Sequence, residues 1–194
     1  MVRPFQACFQ GVTARQGAVV PDRVKRILVI GVGHPLCGDG SVGLRVAQAV
    51  RARWPEAVRV FEHGGEGATL LHMWAPEDGV FLFSASESGA APGTLSRFEA
   101  AVEDVPRHFL HSFGHPFGIA EAIEAARRTG RLPARLIVYG LEGASFGEGE
   151  QLSEPARRGL QELTSRALAE VRSLAERALA ERLSMRIQNG TFAK

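Results

Sequence analysis

The side chains here that could do chemistry gather in glycine-rich loops. The segment 26–43, RILVIGVGHPLCGDGSVG, places His34, Cys37, Asp39 and Ser41 in one short turn. A thiol near an imidazole and a carboxylate is raw material for an activated nucleophile, provided a base lies within hydrogen-bond reach. Closeness along a loop does not supply that reach, and a small residue filling a tight turn is the simpler role for Cys37. A second loop, HGGEG at 63–67, carries His63, Gly64, Gly65 and Glu66, and a third carries Glu87. Three of the six histidines, His108, His111 and His115, fall in the least regular stretch. His111 and His115 are spaced as a helical metal pair would be, but Gly114 and Pro116 interrupt any helix that would align them.

Two motifs come close to known signatures and miss. GVGHPL has Leu36 where a dinucleotide fingerprint needs its third glycine, and no Gly-Lys-Ser/Thr follows to make a phosphate loop. A nucleotide-binding α/β protein rests on that loop alone. GASFG at 143–147 has the letters of a nucleophile elbow, but the elbow needs a strand running straight into a helix. Here a strand ends near Gly140, and further glycines and glutamates precede any helix.

The elements that must position these loops alternate along the chain. Ile27, Leu28, Val29 and Ile30 form a buried strand. Val42, Leu44, Val46, Ala49 and Val50 give the helix that follows, which stops before Pro55. Further strands are expected at 57–61, 79–83 and 136–140, with a short alternating segment at 94–99. A short helix runs through Leu70, Leu71 and Met73. Pro116 suits the first turn of another, with Ile119, Ala122, Ile123 and Ala126 as its apolar face. A long last helix spans 153–183 with Ser153 as N-cap. Strands alternating with helices predict an α/β fold, three-layered α/β/α, around a twisted, mostly parallel sheet of about five strands.

The chain has 194 residues, 45% hydrophobic and 23% charged, the composition of a folded globular domain. A formal net charge of +2, nearly all of it arginine, argues against a nucleic-acid partner. The two cysteines, Cys8 and Cys37, sit in unlike contexts and suggest no disulfide framework. With no apolar run long enough to span a bilayer and no signal-like leader, a cytoplasmic protein is expected. The expected organisation is a loosely ordered arm at 1–24, a domain at 25–175, and a helical extension and tail at 176–194.

Five segments in order resemble the hydrogenase maturation proteases, nickel-dependent endopeptidases that trim the C-terminus of a NiFe-hydrogenase large subunit. The family's opening, near ILVLGIGNPLRGDDGVGLRV, parallels ILVIGVGHPLCGDGSVGLRV at 27–46. DGGTAGLDLL parallels EHGGEGATLL at 62–71, and VILVDAVDSGAAPGT parallels VFLFSASESGAAPGT at 80–94. SHGFGLAEAL parallels SFGHPFGIAEAI at 112–123, and GIEPESFEPGEGLSPEV parallels GLEGASFGEGEQLSEP at 140–155.

The resemblance implies a binding edge at the carboxyl ends of the strands, where the substrate's nickel is gripped by two carboxylates and a histidine. Those positions fall on Gly40, Ser84 and His115 here. Neither glycine nor a neutral serine hydroxyl replaces a carboxylate as a ligand for a divalent metal. Asp39 and Glu87, in the same two loops, are the candidate substitutes, and the substrate-facing set is Gly33, His34, Cys37, Asp39, Gly64, Gly65 and Glu66. No catalytic residue is assigned and no tightly bound cofactor is expected, since any nickel belongs to the substrate. Two readings stay open: an endopeptidase acting on a large-subunit precursor, or a binding and assembly factor that holds such a precursor uncut. A dimer through the C-terminal helix is a further expectation. Restoring the carboxylates with Gly40→Asp and Ser84→Asp is expected to raise nickel affinity.

Overall fold

The computed structural model describes residues 24–54, 58–107, 109–111, 113–149 and 151–190. The arm at 1–23, Cys8, His108 and the last four residues lie outside the described residues. Five strands, β1 (Ile27–Val32), β2 (Arg59–His63), β3 (Gly79–Ser86), β4 (Leu95–Glu99) and β5 (Arg135–Glu142), form one sheet in the order β2-β1-β3-β5-β4. All pairings are parallel except that of β4 with β5. The helices are α1 (Val42–Arg53), α2 (Gly67–Leu70), α3 (Ile119–Arg128) and α4 (Glu154–Gly190).

Alternation along the strands sorts the core into two layers. Val29, Phe81, Phe83, Ile137, Tyr139 and Leu141 face α1 and α4, while Leu28, Ile30, Val80, Leu82, Leu136 and Val138 face α2 and α3. The central strands are apolar on both faces, as burial between two helical layers demands. Helix α1 crosses so close to β1 that a Cβ on Gly31 would collide with the carbonyl of Gly43. Glycine at both positions is therefore a packing requirement.

Several element bounds differ from expectation, α4 among them, which runs to Gly190 rather than to 183. Strand β2 lies two residues further along, because its ladder with β1 runs from Leu28↔Arg59 to Val32↔His63. Strand β3 continues past Phe83, since Ser84 and Ser86 pair with Gly140 and Glu142 of β5. Helix α3 starts at Ile119 rather than at Pro116, and its entry is closed by the Gly118 N–H donating to Glu121 Oε2 at 3.1 Å.

Helix α4 begins where Ser153 Oγ accepts from the Ala156 N–H at 3.3 Å. Its 37 residues make a rod of roughly 55 Å, about twice the length of β3. Ala156, Leu163, Ala167, Val171 and Leu174 are buried against the sheet, while Leu179 and Leu183 beyond them are exposed. No helix among the described residues is long and apolar enough to cross a membrane.

Glu170 ties α4 down. It accepts from Arg97 Nε at 3.0 Å and Nη2 at 3.2 Å, and from Tyr139 Oη at 2.6 Å. Burial alone would raise the Glu170 carboxyl, but those hydrogen bonds and the nearby arginine charges hold it below the ordinary value of 4.5. A depressed folded value stabilises above the unfolded value and is lost as pH falls through the folded one. Acidification below about pH 4.5 is thus expected to lower the melting temperature, and Glu170→Gln to flatten that acid limb. Parallel wild-type and Glu170→Gln curves of melting temperature against pH would refute this.

Candidate functional site

Strand order reverses between β1 and β3, and at such a point the loops diverge and leave a crevice at the carboxyl edge. The loop after β1 turns back on itself. Gly40 N–H donates to Cys37 O at 2.6 Å, and Cys37 N–H to His34 O at 3.2 Å. The segment following β5, rich in glycine, has no helix or strand to satisfy its backbone, and Asp39 does so instead. Its Oδ2 accepts from Ala144 N at 2.7 Å, Ser145 N at 3.1 Å and Ser153 Oγ at 2.7 Å, and its Oδ1 from Ser153 N at 2.7 Å. Cys37 Sγ adds a contact to Phe146 O at 2.9 Å, and Gly149 N–H donates to Leu36 O at 2.7 Å.

The Asp39 carboxylate therefore points into the protein and does not line the crevice. Asp39 is fully buried, and its carboxylate braces one loop against another rather than standing in as a metal ligand. Gly33 and Gly65 are also buried beneath the edge, whereas His34, Gly64 and Glu66 are exposed on it. Ser145 of the GASFG motif is held through its backbone to Asp39 between β5 and α4, with no strand-to-helix turn to make an elbow.

His63 is fixed in one tautomer. Its Nδ1 accepts from the Gly65 N–H at 2.9 Å, so Nε2 carries the proton and donates to Thr69 Oγ1 at 2.8 Å. Burial lowers its pKa, with the charge of His115 acting the same way against the opposing pull of Glu66. A neutral His63 is anchoring the loop, and its 3.8 Å approach to Glu66 is no ion pair. The other oxygen of Glu66 lies 3.7 Å from His115 Nε2.

On the far side of the crevice, residues 109–111 pair antiparallel with the end of β3 through a Ser86↔Leu110 bridge. The His111 N–H donates to Ala85 O and the Glu87 N–H to Phe109 O, both at 3.1 Å. This brings His111 Nδ1 to 2.9 Å from Glu87 Oε2. The His111 ring stacks on Phe146 at 4.2 Å and meets the edge of Phe113 at 4.6 Å. Phe113 has φ +50°, the left-handed region that bulky side chains rarely adopt. Buried Glu142 braces the loop after β3, accepting from Ser86 Oγ, Ser88 Oγ and the Gly89 N–H.

Together these loops enclose a cavity of about 580 Å³. Of the residues expected from sequence, His34, Cys37, Gly64, Glu66 and His115 line it. His111, Leu36, Phe113, Phe146 and Glu148 complete it. Sequence pattern marks neither phenylalanine. Phe146 lies inside a motif with no strand-to-helix turn, and Phe113 has only its neighbour Gly114 to mark a special backbone. A larger groove of about 670 Å³ lies at the amino edge of the sheet, between Val24, Trp54 and Leu179. It lies at the opposite end of the strands from the carboxyl edge, where folds of this kind place their sites.

The ligand positions implied by resemblance do not fit a carboxylate grip. A Cβ added at Gly40 would lie 2.9 Å from Phe113 Cε1, so an aromatic ring stands where a side chain would project. Ser84 is fully buried, its hydroxyl without a hydrogen-bond partner among the described residues. Glu87 is engaged by His111. Among the described residues no cluster of three or more His, Cys, Asp or Glu is arranged to hold a metal ion.

The chain matches the family model described as hydrogenase maturation protease over residues 44–170. It is 32% identical over 158 residues to the hydrogenase expression/formation protein HupM of Azotobacter chroococcum mcd 1, covering 79% of this chain and 73% of that protein. It is 34% identical over 120 residues to the hydrogenase 2 maturation protease of Escherichia coli (strain K12), covering 60% and 72%. The solved structure of the hydrogenase maturating endopeptidase HybD from E. coli aligns with a TM-score of 0.58 at 25% identity, covering 76% of this chain and 93% of that one.

Proposed function

We propose, from the premise that this chain belongs to the hydrogenase maturation protease family, that it is a cytoplasmic maturation factor that holds the C-terminal region of a NiFe-hydrogenase large-subunit precursor without cutting it. The observation that carries the holding reading is Phe113, whose ring fills the space a side chain at Gly40 would need. With Ser84 buried and Asp39 turned inward, the edge keeps its crevice and its histidines but offers no paired carboxylates. What remains suits docking: Phe113 and Phe146 line one cavity together with Glu66 and His115.

Cleavage is the competing activity, favoured by the names of the relatives and by His115 on the cavity wall. Mixing the purified chain with a nickel-loaded large-subunit precursor separates the two. We expect co-sedimentation and a precursor of unchanged mass. A shortened precursor overturns the holding reading, and no complex overturns docking altogether. The same sedimentation run reads the oligomeric state of the chain alone, for which the exposed Leu179 and Leu183 on α4 provide a dimer face.

A further inference from the structure

We propose that His111 is a recognition residue of this cavity, presenting Nε2 as a hydrogen-bond acceptor to an N–H of the docked precursor, with Glu87 as the residue that positions it. The inference rests on the docking reading and adds what the docked segment must supply. An ionised carboxylate only accepts, so the 2.9 Å contact with Glu87 Oε2 places a proton on Nδ1 of His111, and the neutral form is the Nδ1-H tautomer. Nε2 is then a lone-pair acceptor, and no described residue hydrogen-bonds to it.

The ring is also held still. Phe146 stacks on one face with planes 10° apart, and Phe113 meets it at 90°. Backbone bonds from His111 to Ala85 and from Glu87 to Phe109 fix both partners of the pair. An acceptor locked among aromatic walls loses little freedom on binding. A partner that covered it with apolar surface alone would leave Nε2 buried and unpaired, so the site selects for a donor. Glu87, expected from sequence as a substitute ligand, acts instead through the imidazole. Such carboxylate–histidine pairs fix tautomer and ring orientation.

Two readouts on the full chain test this. With ¹⁵N-labelled histidine, NMR of wild type should show His111 protonated on Nδ1. Glu87→Ala should mix the tautomers, and Glu87→Gln, whose amide oxygen still accepts, should restore the single form. A wild type protonated on Nε2 overturns the assignment. In calorimetry with the large-subunit precursor, His111→Phe keeps a stacking ring but removes the acceptor, and should weaken binding about tenfold. Equal binding by wild type and His111→Phe overturns this inference while leaving docking intact. No binding by wild type overturns docking and the inference with it. A loss confined to nickel-loaded precursor, absent with metal-free precursor, makes Nε2 a metal donor and overturns the hydrogen-bond assignment.

Discussion

Asp39→Ala is expected to lower the stability of the protein by about 3–5 kcal/mol, since several buried donors lose their acceptor at once and each costs about 1–3 kcal/mol when water reaches only some of them. The three N–H groups of Ala144, Ser145 and Ser153 and the hydroxyl of Ser153 all converge on this one carboxylate, which is fully buried. For a chain of this size the loss corresponds to a fall in melting temperature of roughly 10 °C. Asp39→Asn should fall between the two, because its oxygen still accepts while its amide group faces donors. The damage should start locally. With the Asp39 carboxylate gone, the bonds from Asp39 N–H to Ser145 O, Cys37 Sγ to Phe146 O and Gly149 N–H to Leu36 O still tie 143–153 to the opening loop, but its buried donors lose their shared acceptor. Limited proteolysis should therefore nick 143–153 before the sheet unfolds. A variant that melts like wild type and resists the protease would show that Asp39 is not the brace.

That brace also explains why the site was harder to foresee than the frame. The strands announce themselves because burial on both faces leaves continuous apolar runs, such as Ile27 to Ile30, and α1 does so by its helical spacing. The apolar run of β3 stops at Phe83 because Ser84 and Ser86 break it, although their backbones pair with β5 as regularly as the rest. The chemistry of a loop residue is set by groups far along the chain. Asp39 reads locally as a candidate ligand, yet its acceptors' work is defined by Ala144, 105 residues away. Phe113 carries no sequence signal that it packs against Gly40, and only the fold brings them together. The resemblance could place His115 and the empty ligand positions, but not what fills them.

The second large effect concerns those positions. Reintroducing the carboxylates with Gly40→Asp and Ser84→Asp is now expected to destabilise the protein and to leave nickel affinity unchanged, reversing the expectation drawn from sequence. At Gly40 the new Cβ would sit 2.9 Å from Phe113 Cε1 and 3.1 Å from Cys37 Sγ, so the ring must move, a form of overpacking that costs about 1–3 kcal/mol. Ser84 is the more severe change. Its hydroxyl is already buried with no hydrogen-bond partner among the described residues, and a carboxylate there would be fully buried with none of the hydrogen bonds it needs. Leaving a buried charge uncompensated costs about 3–5 kcal/mol, unless the group takes up a proton and stops being a ligand. Trimming the obstacle separates the causes. If Phe113 is what excludes the grip, Phe113→Ala added to Gly40→Asp should restore the lost stability and allow weak nickel binding with His115, read by calorimetry. If the double variant binds nickel tightly with Phe113 in place, the ring gives way easily. The holding reading would then lose its main support.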